Sequence, residues 1–394
     1  MNKTIPFPVS GKGYGEAGAS HRRRAMRGFN AQSGSPREDI DFNNQTLRER
    51  ARMLYMAAPI ASSAIKTPRT NVIGPGLKMN PKIDREMLKL SSEEADAWEK
   101  RVKAEFSLWA DDPVACDATG INNFYAMQQL AFVSWLVSGD VFILRKQREP
   151  TKWHPYALRL HLIEADRCAT PEATGVFGVT VAQRGRNMIY DGVEVDRNGM
   201  VVAYHFRNKH PYEVTLEETK YTRVLARGEK TGLPNVLHIM SSERPEQYRG
   251  VTYLAQIIEP ILQTRRYTES EITAAIVESF FTAFIKTKTN LDEVPIDEVG
   301  PGGQEIQASY DPNEYEMGPG NVITLNPDED VDFGDPKRPA SGFAAFMKEM
   351  CSQIGAALEI PRDILMKEYN SSYSASRGAL LEAWKAFRMY RGWF

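Results

Sequence analysis

The sequence predicts an α+β chain, and three observations carry that prediction. Apolar residues recur at three- and four-residue spacing through 46–65, 91–110 and 124–139. The period then drops to two between 140 and 240. From Val251 the helical period returns and, with one interruption, runs toward the end.

In chain order, residues 1–45 are rich in Gly, Ser, Asn and Arg and read as an arm, with a basic "HRRR" cluster at 21–24. A helix begins near Thr46 ("TLRERARMLYMAAPIASSAI"), and Pro59 divides it in two. "NVIGPGL" at 71–77 reads as a strand with a glycine turn. The segment "SSEEADAWEKRVKAEFSLWA" starts a second helix on Ser91 or Ser92, and its stripe is Trp98, Val102, Phe106 and Trp109. A third helix, 124–139, ends at Gly139. "DVFILRK", "ALRLHLIEA" and "NVLHIM" read as strands, and Asn198-Gly199 marks a hairpin within 191–206. The middle is therefore largely antiparallel.

Residues 251–286 read as a long helix in which Pro260 permits one kink. A Pro-, Gly- and acid-rich excursion follows, with a strand pair expected around "EIQASY" and "NVITLNPDEDVDF". A helix at 341–358 comes next. Then a polar run, Asn370 to Ser376, precedes a helix expected from about Gly378 with Leu380, Leu381, Trp384 and Phe387 on one face.

The bulk numbers exclude several classes. Net charge is −2 over 394 residues, without the basic excess of a protein that clamps DNA by neutralising phosphates. Three scattered cysteines, Cys116, Cys168 and Cys351, suggest reduced thiols. No signal peptide and no run of about 18 apolar residues is present, so neither secretion nor a membrane span is expected.

Catalytic signals are weak. Gly13-x-Gly15-x-x-Gly18 lacks the flanking βαβ context of a dinucleotide site, and no phosphate-binding P-loop motif occurs. Asp328, Asp330 and Asp332 have calcium-loop spacing, but Phe333 and Pro339 stand where glycine and glutamate are required. That stretch reads instead as an acidic strand. The six histidines show no metal-ligand spacing, and Asp111, Asp112 and Asp117 have no histidine near them in sequence. The expectation is no catalytic residue, no metal and no cofactor.

From about Thr46 to the end, the chain resembles the lambda-type family of tailed-phage portal proteins. Five segments carry the likeness, in order: "TLRERARMLYMAAPIASSAIKTPRTNVIGPGLKM", "WEKRVKAEFSLWADDPVACDATGINNFYAMQQLAFVSWLVSGDVFI", "HIMSSERPEQYRGVTYLAQIIEPI", "IGAALEIPRDILMKEYN" and "SSYSASRGALLEAWKAF". Asp140 replaces a common Glu, and "APIA" replaces an Asn-Pro turn.

The resemblance implies a portal fold assembled as a dodecameric ring at one capsid vertex of a virion, made in a bacterial cytoplasm. It implies passage of double-stranded DNA without sequence preference. Its partners would be the terminase large subunit, the major capsid protein and a head–tail adaptor. The implied organisation is an arm (1–45), a wing (46–250), a first stem helix (251–285), a clip (286–340), a second stem helix (341–358), and a tunnel loop with the start of a wing helix (359–394). The chain stops inside an amphipathic pattern, "FRMYRGWF", so a C-terminal crown is expected to be absent or truncated.

Three site expectations follow. Glu368–Arg377, with Asn370, Ser371, Ser372, Tyr373, Ser374 and Arg377, is the expected channel-narrowing loop, because neutral amides and hydroxyls position phosphates without reading sequence. Asp328, Glu329, Asp330 and Asp332 make the acidic segment of the clip. Ile272, Ile276, Phe280, Phe284 and Trp384 are expected to pack between subunits. The alternatives are another virion component, such as an adaptor or minor head protein, and a metal-dependent hydrolase built on Asp111, Asp112 and Asp117.

Overall fold

A computed structural model describes residues 19, 24–26, 28–29, 31–171, 181–279, 283–287, 329–333, 342–369 and 372–394. The chain divides into one compact unit of residues 1–258 and 358–394 and a second of residues 259–357.

The first unit opens with α1 (Pro36–Ala57), ten residues before its expected start at Thr46. Ser35 accepts from the Glu38 amide, and the Glu38 carboxylate accepts from the Ser35 amide, a capping box that draws residues 36–45 out of the arm and into the helix. Pro59 separates α1 from α2 (Pro59–Val72) and sits at the first position of α2, where its missing N–H costs nothing. The expected strand at 71–77 is not formed. Asn71 and Val72 end α2, and the Gly74 amide, at φ +56°, bonds back to the Arg69 carbonyl. A left-handed glycine after "RTNV" closes a helix in that way, and among the described residues no strand pairs with these.

A short α3 (Arg85–Leu88) leads to α4 (Ser92–Asp111), where Ser91 rather than Ser92 is the cap, closed by Glu94. Then follow α5 (Pro113–Cys116) and α6 (Phe124–Ser138), the latter capped by Asn123 and stopped by Gly139 at φ +88°.

Two antiparallel sheets follow. In the first, β1 (Asp140–Gln147) lies between β2 (Leu158–Glu164) and β8 (Val236–Met240). In the second, β3 (Val181–Arg184), β4 (Asn187–Tyr190), β5 (Val193–Val195), β6 (Val201–Arg207) and β7 (Tyr221–Leu225) form a meander. Asn198-Gly199 does join β5 to β6, though by a longer turn. The Gly199 amide reaches the Asp196 carbonyl, Asp196 caps the turn with its carboxylate, and a bulge follows Glu194. Asp191-Gly192, both at positive φ, makes the tighter β4–β5 hairpin. The core lies between the sheets: Phe142, Leu144 and Ile163 meet Val193, Tyr204 and Phe206.

The first unit resumes with α9 (Arg362–Met366) and α10 (Tyr373–Trp393). Here α10 starts five residues before Gly378. Ser372 accepts from the Ala375 amide, so Tyr373, Ser374 and Arg377 are helical and not loop.

The second unit contains α7 (Ile258–Ser279) from its second residue, β9 (Ala283–Thr287), β10 (Glu329–Phe333) and α8 (Phe343–Ala357). Pro260 lies in the first turn of α7, so the expected kink does not arise. The helix expected to run to Lys286 ends at Ser279, and residues 283–287 pair with 333–329 as a strand. The stretch "FFTAFIKT" is aromatic and β-branched, a composition that favours a pleated ladder over a helix. "EIQASY" lies outside the described residues, and the observed partner of the acidic strand is β9. Within this unit Tyr267 of α7 meets Phe343 and Phe346 of α8, with ring centroids 5.6 and 4.5 Å apart.

Candidate functional site

The densest polar cluster of the first unit is buried where α1, both sheets and the β8–α7 connection converge. Its centre is Arg249, fully inaccessible. Its Nε donates to Asp140 Oδ2 at 2.7 Å, Nη1 to Asp191 Oδ2 at 2.6 Å and to the Cys168 carbonyl at 3.1 Å, and Nη2 to the Ala165 carbonyl at 2.8 Å. Asp140 heads β1, and its Oδ2 also accepts from the Gly250 amide at 3.2 Å and lies 3.4 Å from His238 Nε2. Arg48 of α1 sits 3.9 Å from Asp140 and 3.7 Å from Asp191, and its Nε donates to the Ser138 carbonyl.

Local sequence explains these positions. The Asp191-Gly192 turn must be left-handed, and a Cβ on Gly192 would lie 2.5 Å from the Ala169 nitrogen. Gly139 and Gly250 touch backbone to backbone, where a Cβ on Gly250 would fall 1.9 Å from the Gly139 carbonyl. Asn44 fixes the same contact by donating to the Gly250 carbonyl.

The electrostatics are those of a closed ionic lock. Burial would raise the Asp140 carboxyl, but the Arg249 and Arg48 guanidinium groups outweigh it and hold the group well below the usual carboxylate range. Burial would lower the Arg249 pKa, and Asp140 and Asp191 push it the other way, well above its ordinary value. At the margin, burial and then the Asp191 charge raise Asp41 to about 7 against the pull of Arg249 and Arg48. Burial pushes the Cys168 thiol up to about 12, an inert value. The cluster offers no exposed nucleophile or open ligand position, so its chemistry is cohesion. It pins one helix and two sheets to one another.

Sequence pattern does not group these residues: it gives Asp140 and the "YRGV" segment only as motif letters. A charged residue heading an apolar strand, as in "GDVFIL", is the signal that could have found them.

The aspartates suggested for metal chemistry have structural partners. Asp117 accepts from the amides of Thr119, Ile121 and Asn122 and from the Thr119 hydroxyl. Asp112 caps α5 and lies 3.3 Å from His154, and Asp111 accepts from Ser107. Among the described residues, one group has metal-like spacing: Glu164, Asp166 and His210. There Asp166 is already paired with Arg52.

The remaining predicted residues are dispersed. Asn370, Ser371, Phe280 and Asp328 lie outside the described residues. Ser372 is the α10 cap, and Tyr373, Ser374 and Arg377 are in its first turns. Glu329, Asp330 and Asp332 are in β10 and Phe284 is in β9. Ile272 and Ile276 are exposed on α7, and Trp384 is half-buried on α10.

A second feature of this unit is an apolar groove of about 700 Å³ between α4, the start of α6 and the irregular segment Pro155–Ala157 that leads into β2. Its lining includes Trp98, Val102, Phe106, Phe124, Tyr156 and Leu158. The α4 stripe is thus covered only at its C-terminal end, where Trp109 is buried, while Trp98 stays about half exposed.

Residues 22–391 match the family model described as phage portal protein, lambda family. The chain is 25% identical over 321 residues to the probable portal protein of Halomonas phage phiHAP-1, covering 80% of this chain and 56% of that one. It is 21% identical over 341 residues to portal protein B of Escherichia phage lambda, covering 83% and 61%. It therefore spans less than two thirds of the length of these relatives. A chain in the neck of a native gene transfer agent particle, computed with C12 symmetry, overlaps 87% of this chain and 75% of its own length at 12% identity and a TM-score of 0.48.

Proposed function

This chain belongs to the lambda family of phage portal proteins, and from that premise we propose that it forms the ring-shaped channel through which double-stranded DNA enters and leaves a capsid. The observation that carries the proposal is the family match over residues 22–391, nearly the whole chain. Two features of the chain support a passive conduit. Net charge is −2, and each phosphate neutralised by a fixed cation would add affinity and slow sliding. The "RG" and "GD" segments that carry the likeness are consumed by the Arg249–Asp140 lock, a buried joint without an open catalytic position.

In this reading α7 and α8 are stem elements, and residues 286–340 form the clip that docks a packaging motor and a tail adaptor. Ile272, Ile276, Phe280 and Phe284 pack on neighbouring subunits, as does Trp384, and the acidic 328–332 segment repels the DNA backbone. The capsid protein surrounds the ring at one vertex of the virion, and the chain is not an enzyme.

In this reading the tunnel loop is the part of Glu368–Arg377 that precedes α10, Glu368–Ser372. Lys367 leaves α9 in a left-handed conformation, and Ser372 caps α10, so both ends of the loop are anchored to helices.

Electron microscopy of the purified chain tests the ring: closed particles of about a dozen subunits around a central channel are expected, and small or open assemblies refute it. Asn370→Ala with Ser371→Ala, which spares the cap, tests the loop. Rings should form as before while DNA packaging or retention falls, and unchanged packaging refutes the assignment.

A further inference from the structure

The β6–β7 connection projects apolar side chains into water. Tyr212, Val214 and Leu216 are 66%, 102% and 107% exposed. The connection is nonetheless well anchored. The Asn208 amide donates to the Lys220 carbonyl, the Lys220 amide to Asn208 Oδ1, and Lys209 Nζ to the Glu217 carbonyl. Tyr212 Oη accepts from Gln45 at 2.7 Å and donates to Glu49 at 3.0 Å, tying the loop to α1. A fixed loop that alternates valine and leucine with Glu213, Thr215 and Glu217 presents a period-two apolar edge flanked by acids.

The same unit carries a complementary feature, the groove between α4 and the irregular segment Pro155–Ala157. Its volume of about 700 Å³ lies within the range of about 300–1,000 Å³ that encloses a compact ligand. Its rim holds Arg101 and Glu105, and Tyr156 Oη donates to Glu105 at 2.6 Å. Arg101 is exposed. In one protomer the loop stands in solvent, so it does not fill its own groove. A contact between two different patches of one chain is heterologous, and its repetition makes a ring where the rotation closes and an open filament where it does not.

We propose that Val214 and Leu216 of one copy insert into the Trp98–Phe124 groove of the next, with the loop acids against Arg101. The inference rests on the ring reading and names one of its joints. A knob and hole of this kind would set the direction of assembly around the ring. An alternative occupant of the groove is the chain's own "IPFPV" at 5–9, whose prolines suit an aromatic slot.

Site-specific cross-linking of the full chain decides between them. All three native cysteines are buried, so introduced thiols react first. Leu216→Cys combined with Val102→Cys, treated with a short bismaleimide, should give a ladder of covalent multimers on a denaturing gel, and neither single variant should. In parallel, Val214→Asp with Leu216→Asp should lower the ring fraction at least tenfold with circular dichroism unchanged.

Absence of a ladder overturns the inference, as does cross-linking to Val102→Cys from Phe7→Cys in place of Leu216→Cys. If rings form but lack this cross-link, the inference falls and the portal reading stands. If the unmodified chain forms no ring, the portal reading falls, and the cross-link still reports whether loop and groove meet.

Discussion

Replacing Arg249 with methionine should destabilise the first unit by about 3–5 kcal/mol, the cost of leaving a buried partner charge uncompensated. The substitution keeps an unbranched apolar stem but removes every guanidinium contact. Asp140, fully buried, would lose bonds at 2.7 and 3.3 Å, and the Ala165 and Cys168 carbonyls would lose theirs at 2.8 and 3.1 Å. The nearest remaining cation on Asp140 is Arg48 at 3.9 Å, too distant for a hydrogen bond. At roughly 2–4 °C per kcal/mol, the melting midpoint should fall by roughly 6–20 °C.

The pH dependence supplies a sharper check. In the parent, the Asp140 pKa lies below its unfolded value of 3.8, so its contribution is present above about pH 4 and is lost on acidification. In the variant, burial without the salt bridge raises that pKa, so its stability improves as pH falls and the carboxyl protonates. The gap between the two proteins should therefore narrow from pH 8 toward pH 4 in urea titrations. A gap below about 1 kcal/mol at neutral pH, or one constant across that window, would refute the account of Arg249 as the keystone of a buried lock.

Three further outcomes follow from the same geometry. Gly250→Ala forces a Cβ to within 1.9 Å of the Gly139 carbonyl and should abolish soluble folded protein. Gly378→Ala, on open helix surface, should raise the unfolding free energy by up to about 1 kcal/mol, so equal behaviour of the two in an expression and melting assay contradicts the account of backbone contact. Ser91→Ala should cost about 1 kcal/mol in denaturant titration and Ser92→Ala far less, because only Ser91 accepts from the Glu94 amide. Asp41, raised to about 7, contributes stability that is complete below its unfolded value of 3.8 and lost as pH rises through 7. Asp41→Asn should flatten that part of the stability–pH curve, and an unchanged slope between pH 4 and 8 would show that another group titrates there.

Local periodicity by itself determined most of the elements. The α4 stripe with its Ser-x-x-Glu box, the stop of α6 at Gly139, the strands at 140–147, 158–164 and 236–240, and the division at Pro59 all depend on neighbours within a few residues. The family likeness was legible too, because its letters sit in order along the chain. Tertiary structure decided what those letters do. Nothing local shows that Asp140 meets Arg249, 109 residues away, or that a carboxylate from the Asp191-Gly192 hairpin joins them. The same limit explains the misplaced boundaries. The helical pattern expected through 283–286 yielded to a ladder with 329–333, which pairing across more than forty residues supplies and sequence period does not. The serine run before α10 resolved the other way: Ser372 capping, a local effect, drew Tyr373, Ser374 and Arg377 into the helix. Which apolar stripe is covered and which is left open, as at Trp98 and Leu216, depends on how separated elements meet in space, and period alone carries no record of that.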